Sequence, residues 1–292
     1  MKKMKSKFFS DSYLYLYFSL AAIFLNFLFK DYVSNKNMVI VLIFFIIFFG
    51  LPHGALDTLL AKKNNLYNNF LSFIKFNFIY VLIAIITFLL WFFFPVLSLF
   101  TFLLISIFHF SEDWKNKINF LQRVTLAASL ISLTVFFHRE EVTLIFFSLT
   151  KTNQVIYLSI FFYYMNYVII PMLLLILFYN IKNNKIVMNI ITIALTAFLL
   201  NPLIYFLCYF CFFHSIKNFK ESKKFLFPKN NSLHKKVIFI NLLLTLILSI
   251  IIFKIFLTGT IEDKLLKITF IGLASLTVPH MLLKAFISYK NK

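Results

Sequence analysis

The stretch GLPHGALD, residues 50–57, interrupts an otherwise apolar run from Met38 to Ala61. It holds a histidine, a carboxylate, a proline and two of the chain's four glycines, none of which an apolar run requires. Ionisable groups at membrane depth cost free energy, so their presence indicates a functional site. His53 and Asp57 are four residues apart and would share one face of a helix. The stretch therefore predicts a site inside a membrane-spanning segment.

The composition of the whole chain places that segment in a membrane protein. Of the 292 residues, 61% are hydrophobic and 20% are aromatic, and the mean hydropathy is +0.89. An ordinary soluble domain is about half apolar. Repeated apolar runs of about 20 residues are typical of membrane-spanning helices. We therefore predict an all-α, polytopic integral membrane helical bundle of about 8–10 transmembrane helices, with residues 1–292 forming a single domain.

The hydropathy pattern divides the chain into candidate spans. Pro95, Pro171 and Pro202 are expected to mark breaks or bends between or within them. The ten predicted spans are 13–29, 38–61, 70–93, 96–110, 124–137, 154–179, 186–200, 202–216, 237–257 and 265–287.

The charges lie mostly between these spans. The formal net charge is +19, and the lysines stand in the connecting loops rather than on one basic face. This arrangement excludes a nucleic-acid partner and is explained by codon bias together with orientation in the membrane. Loops alternate in net positive charge, so the positive-inside rule predicts cytoplasmic N- and C-termini. No small-residue cleavage site follows the first apolar stretch, which we expect to be retained.

Four of the six histidines fall at corresponding places in the predicted topology. They are His53, His109, His214 and His280, each toward the C-terminal end of a span that runs from outside to inside. Topology would bring them to a similar depth, and imidazole is a good ligand for iron, copper and zinc. The pattern favours a shared metal site over separate helix–helix hydrogen bonds, which are the alternative. His138 and His234 do not fit and are interpreted as solvated or interfacial.

Two of the four histidines have a carboxylate one helical turn away. Asp57 follows His53, and Asp113 follows His109 by the same spacing, with Glu112 beside it. A carboxylate there would accept the second N–H of a ligating imidazole and orient the ring. The alternative for Glu112 and Asp113 is a pair of interfacial charges. Cys208 and Cys211 have metal-ligand spacing but no second pair, so they are interpreted as buried, inert thiols.

The motifs around these histidines resemble those of a known family. GLPHGALD at 50–57, His109-Phe110 with Asp113 downstream, Phe213-His214-Ser215 and Val278-Pro279-His280-Met281 are similar to blocks of the bacteriorhodopsin-related-protein-like (Brp/Blh) family. That family comprises the prokaryotic membrane β-carotene 15,15′-dioxygenases. The blocks run in the same order and span nearly the whole chain. The first is long and specific, whereas the others are short.

The resemblance implies an Fe(II)-dependent enzyme of the prokaryotic inner membrane. It would cleave the central double bond of β-carotene, or a related carotenoid, with O₂ and give retinal, in some cases for a microbial opsin. The implied ligands are His53, His109 and His214, with Asp57 and Asp113 as supporting carboxylates. The family usually has a further histidine four residues after the one matching His214, and this chain has Asn218 there.

That departure leaves several interpretations open. His280 completes the ligand set, or Asn218 or water does, or this member has altered or lost its activity. A histidine-containing transporter would also carry ionisable groups inside a bundle, although the chain has no repeated halves. A haem-b-binding subunit would need two histidines facing across one haem.

Overall fold

The structure is a computed structural model that describes residues 11–29, 35–227, 233–255 and 259–290. Within these ranges the side chains of residues 35, 36, 53, 233, 234 and 255 are not described. The described residues form α-helices joined by short turns, without a β-strand among them. The α-helices are α1 Asp11–Phe29, α2 Asn35–Phe45, α3 Asp57–Lys63, α4 Phe70–Phe93, α5 Pro95–Ser111, α6 Phe120–Phe137, α7 Arg139–Thr150, α8 Val155–Tyr179, α9 Asn184–Leu199, α10 Pro202–Tyr209, α11 Ile216–Leu226, α12 Leu233–Ile255 and α13 Ile261–Lys290.

These helices confirm the prediction of an all-α membrane bundle. Seven segments in the described part of the chain are long and apolar enough to cross a membrane. Two shorter apolar helices, Asn37–Gly50 and Asn184–Leu199, bring the number close to the expected range. The seven are Asp11–Phe29, Phe70–Phe93, Pro95–Trp114, Phe120–Phe137, Val155–Tyr179, Lys235–Lys254 and Ile261–Lys290.

Two of the predicted spans are not continuous α-helices. The predicted span 38–61 changes after α2 into a π-helix at Ile46–Gly50 and a 3₁₀ turn at Leu51–His53, and α3 begins at Asp57. Pro52 lacks the backbone N–H that a regular helix would use. The predicted span 202–216 likewise contains a π-helix at Phe210–Ser215 between α10 and α11. π-Helical turns re-aim side chains and occur frequently at functional sites.

Helix α7 was not among the predicted spans. It lies between the predicted spans 124–137 and 154–179 and runs from the charged first turn at Arg139 to Thr150. Its inner face is apolar, and Val142, Phe146 and Leu149 are buried against α8 and α13. Pro95 and Pro202 begin α5 and α10, where a missing N–H costs little, whereas Pro171 lies inside α8 without ending it.

The core is built around α6, the most deeply buried of the long helices. It packs against α5, α8 and α9, while α13 packs against α4 and α7. Helix α12 lies at the periphery and none of its described side chains is buried. Because apolar side chains at the periphery face lipid rather than water, their exposure is expected of a bundle that spans a membrane.

The two π-helical segments contact each other, and Gly50 permits this close approach. A Cβ atom at Gly50 would lie 2.7 Å from Cε1 of Phe210. No real Cβ contact is that short, so any larger residue would displace the Phe210 ring or separate the segments. The absence of a side chain at Gly50 therefore determines how closely the two interrupted spans pack.

We expect Gly50→Ala to lower the free energy of unfolding by about 1–3 kcal/mol, because the added methyl overpacks this contact. Thermal unfolding of the purified protein in detergent would measure the loss. Gly272→Ala is a matched control inside α13, since a Cβ there meets no atom within 4 Å. The control should leave the stability unchanged or raise it by up to about 1 kcal/mol. Equal stability of both variants would contradict the packing role of Gly50.

Candidate functional site

Three of the four predicted histidines meet in one buried cluster. His109 lies in the last turn of α5, His214 in the Phe210–Ser215 π-helix and His280 in α13 after Pro279. The ring centroids of His109 and His214 are 4.6 Å apart, and those of His109 and His280 are 5.5 Å apart. Each of the three residues is at most 5% exposed. His53 lies in the adjoining 3₁₀ turn, but its side chain is outside the described set.

Asp113 is the polar centre on one side of the cluster. Its Oδ2 atom lies 2.8 Å from Nδ1 of His214 and accepts a hydrogen bond of 2.8 Å from the Tyr209 hydroxyl. Lys217 donates to both its backbone oxygen and its Oδ1 atom, at 2.8 and 3.3 Å. The carboxylate is 1% exposed, and these partners replace the water it loses on burial. Asp113 therefore orients the His214 ring.

The predicted partner of Asp113 was a different histidine, His109. The spacing from His109 assumes that α5 continues through Asp113, but the helix ends at Ser111 and a 3₁₀ turn follows at Glu112–Trp114. The turn directs Asp113 toward His214, 101 positions away. Glu112 remains at the surface, where it pairs with Lys115 and Arg123. Glu112 is therefore an exposed charge, whereas Asp113 is a buried part of the cluster.

Asp57 makes the equivalent pair with His280 on the other side of the histidine cluster. Its Oδ2 and Oδ1 atoms lie 2.7 and 2.9 Å from Nδ1 of His280, and Oδ2 also accepts from the Tyr80 hydroxyl at 2.8 Å. Helical spacing would place Asp57 beside His53, four residues earlier, but between them the chain turns and is not a regular helix. The pair joins residues 223 positions apart, so local spacing carried no sign of it.

Asn218 connects the Asp113–His214 pair to Lys284, which lies on the helix that carries His280. Its amide nitrogen donates to Oδ1 of Asp113 at 3.2 Å and to the backbone oxygen of His214 at 2.9 Å. Its amide oxygen accepts from Nζ of Lys284 at 2.7 Å. An ammonium group can only donate, so it requires the oxygen of the amide to face it. Both ends of the Asn218 amide are thus engaged by protein groups.

Four residues of this network were missed by the sequence analysis as site residues. They are Tyr80, Tyr209, Lys217 and Lys284. The two tyrosines carried no distinctive signal among many aromatic residues. Lys217 and Lys284 did carry a signal, because each is a cation inside or beside a predicted apolar span, where charges mark functional positions. The structure places the ammonium of Lys284 against Asn218.

Aromatic rings enclose the His214 side chain. Phe210 stacks on it with a centroid distance of 5.8 Å and an interplanar angle of 16°, and Phe110 meets it edge-on at 4.9 Å. Trp114 is fully buried and stacks on Tyr209 at 6.1 Å, behind the carboxylate that holds His214. The cluster is therefore walled by apolar surface rather than by water-accessible loops.

The remaining candidates lie outside the cluster. His138 is the residue between α6 and α7, with Nδ1 3.7 Å from Oε1 of Glu141. The His234 side chain is outside the described set. Cys208 and Cys211 are buried and do not form a disulfide, as expected of structural thiols.

The donor set fits a transition metal that prefers nitrogen. Among the described side chains, no three His, Cys, Asp or Glu residues form a metal-holding group by themselves. The histidine cluster nevertheless has the right chemistry, because two of its rings have Nδ1 against a carboxylate. A carboxylate accepts the Nδ1 proton, which leaves the lone pair on Nε2 as the ligating atom. The side chain of His53, the fourth predicted ligand, is outside the described set.

Comparison with known proteins identifies the family of the chain. The sequence profile of the β-carotene 15,15′-dioxygenase family matches residues 44–288. A protein named β-carotene 15,15′-dioxygenase from the uncultured marine bacterium 66A03 is 31% identical over 252 residues. The match covers 83% of this chain and 91% of that relative. No solved structure matches the chain.

We expect Asp113→Asn to destabilise the protein by about 3–5 kcal/mol, because it removes the buried counter-charge of Lys217. Glu112→Gln, one residue earlier, is the matched control. Glu112 is half-exposed and its surface ion pairs contribute about 1 kcal/mol or less. Thermal unfolding of both purified variants would measure the difference. A loss for Asp113→Asn no larger than that of the control would refute the structural role of this carboxylate.

Proposed function

Because the chain belongs to the β-carotene 15,15′-dioxygenase family, we propose that it cleaves the central double bond of β-carotene, or a closely related carotenoid, with O₂ to give retinal. The observation that carries the proposal is the buried histidine cluster, in which two imidazoles are each held by a carboxylate beside His109. The chain is a carotenoid dioxygenase of a multi-pass membrane type. An apolar substrate would reach such a site from the bilayer.

The proposed cofactor is Fe(II), held by His53, His109, His214 and His280. Imidazole ligands with open positions suit a non-haem iron that activates O₂, and this activation is the chemistry that iron would supply. Asp113 and Asp57 hold the protons on Nδ1 of His214 and His280, so that each ring presents Nε2. Both carboxylates are buried, which excludes water from the hydrogen bonds that orient the ligands.

Asn218 is proposed as a positioning residue rather than a ligand. Its oxygen, the only atom with which it would bind iron, accepts a hydrogen bond from Lys284. Its nitrogen holds Asp113 and the His214 backbone. In this interpretation His280, oriented by Asp57, provides the imidazole ligand that a histidine at position 218 would otherwise supply. The family's usual ligand position has become part of the network that supports the ligands.

The cellular setting is proposed from the family and the charge pattern. We place the protein in the inner membrane of a prokaryotic cell, as a single domain spanning residues 1–292. The positive-inside rule puts both termini in the cytoplasm. Retinal released into the bilayer would then be available to a microbial opsin. A transporter function is the alternative if no carotenoid is cleaved.

Expression in cells that produce β-carotene tests the activity directly. We expect retinal from the wild type, and loss of both retinal and bound iron in His53→Ala, His109→Ala, His214→Ala and His280→Ala. His138→Ala is the matched control, because His138 lies outside the cluster, and it should leave both quantities unchanged. Absence of retinal from a well-expressed wild type would reject the activity and favour a divergent member or a transporter. Unchanged retinal and iron in one alanine variant would reject that histidine as a ligand.

The Asn218→Asp variant distinguishes a positioning role of residue 218 from direct ligation of iron. A carboxylate is a better iron ligand than an amide, so direct ligation predicts equal or higher iron content. The positioning role predicts the opposite, because the new carboxylate faces Asp113 without a proton to donate. We expect iron content and retinal yield to fall about tenfold or more, the range typical of lost ligand-supporting contacts. Asn184→Asp, at an exposed helix start, is the matched control and should change neither.

A further inference from the structure

A pocket of about 460 Å³ lies on the surface where α1 begins and α8 turns into α9. Its volume is within the range of ligand pockets, about 300–1,000 Å³. Two of the seven lining residues are lysines, none is acidic, and none has a purely hydrocarbon side chain. The pocket is therefore suited to a polar, negatively charged group. The lining residues are Tyr13, Tyr179, Asn180, Lys182, Asn183, Asn184 and Lys185.

The pocket lies at the edge of the membrane-spanning part of the bundle. Helix α8 has 25 residues, so at 1.5 Å per residue it is about 37 Å long. The hydrocarbon core of a bilayer is about 30 Å thick, and the ends of α8 therefore extend into the headgroup layers. Tyr179 ends this span and Tyr13 lies in the first turn of another, positions at which tyrosine is enriched. The phosphates of lipid headgroups are the anions found at this level.

The positive charge of the pocket is not neutralised by acidic side chains. Lys182 and Lys185 are exposed, and neither forms an ion pair within the ranges that the structure describes. Asp11, the acidic residue closest in sequence to Tyr13, is bound to Lys220 at 2.7 Å. An anion in the pocket would therefore balance two ammonium groups without displacing an existing partner of either.

We propose that this pocket binds the headgroup of an anionic phospholipid. The ammonium groups of Lys182 and Lys185 pair with the phosphodiester through charge-assisted hydrogen bonds. The amide of Asn184 supplies a further donor at the same wall. Because these groups lie at the headgroup level, the phosphate is bound without entering the hydrocarbon core.

The surface of α8 below the pocket accommodates the acyl chains. Leu175 and Val168 lie about one and three turns before Tyr179 on the same face of the helix. They are 56% and 61% exposed, as expected of side chains that face lipid. This apolar track favours a phospholipid over a free phosphate ion, which would gain nothing from it. The histidine cluster is formed by other helices, so the proposal does not depend on the cleavage reaction.

Native mass spectrometry of the purified full chain in a non-ionic detergent measures lipid binding directly. We expect phosphatidylglycerol to bind more tightly than phosphatidylcholine with the same acyl chains, because the latter has no net charge. The double variant Lys182→Gln/Lys185→Gln should bind phosphatidylglycerol about tenfold or more weakly, since each lysine near an anionic lipid contributes about fivefold. The matched control is Lys62→Gln/Lys224→Gln. It removes the same charge from exposed positions where α3, α11 and the start of α1 meet, and it should bind like the wild type.

Each alternative outcome is distinct. Equal weakening in the two double variants would overturn the assignment, because binding would then follow net charge alone. Equal affinity of the wild type for the two lipids would overturn it as well. Inorganic phosphate is the third ligand, and displacement of phosphatidylglycerol at equal concentration would identify a simple anion site instead of a lipid site. Thermal unfolding without added lipid checks that the variants fold, and Lys182→Arg/Lys185→Arg, which keeps both charges, should retain the affinity.

Discussion

The pairing of two buried carboxylates with two histidines is the interaction on which the rest of the site depends. Asp57 and Asp113 are at most 3% exposed inside a membrane bundle, where an unpaired charge is costly. Each is held by an imidazole, a tyrosine hydroxyl or a lysine rather than by water. Lys217 contacts the Asp113 carboxylate directly, and Lys284 is joined to the same carboxylate through the Asn218 amide.

The interrupted helices make this pairing geometrically accessible. A regular α-helix would direct Asp57 and Asp113 to neighbours one turn away, but Asp57 follows a 3₁₀ turn and Asp113 lies within another. His214 lies in a π-helix, and a second π-helix packs against it at Gly50. The irregular backbone is tolerated at membrane depth because it is buried among other helices.

The sequence was sufficient for the class of fold and for the identity of the clustered histidines. Apolar runs and loop charges predicted a helical membrane bundle, and the topology brought His109, His214 and His280 to one level as expected. The contacts of Asp113 with His214 and of Asp57 with His280 were not predicted, because spacing rules assume continuous helices and cannot detect contacts between distant residues. Helix α7 was missed for a related reason: it is too short and too charged to be recognised as a span. The role of Asn218 depended on Lys284, which is 66 positions away and on another helix.

X-ray absorption at the iron edge of the purified, iron-loaded protein tests the central claim most directly. The account predicts that the protein ligands are imidazoles, with the multiple-scattering pattern that histidine rings produce, and that this pattern weakens in the His280→Ala variant. An iron environment dominated by oxygen ligands would contradict it, as would an unchanged spectrum after loss of His280. The first result would mean that carboxylates or amides bind the metal directly, and the second that the Asp57–His280 pair serves the fold alone.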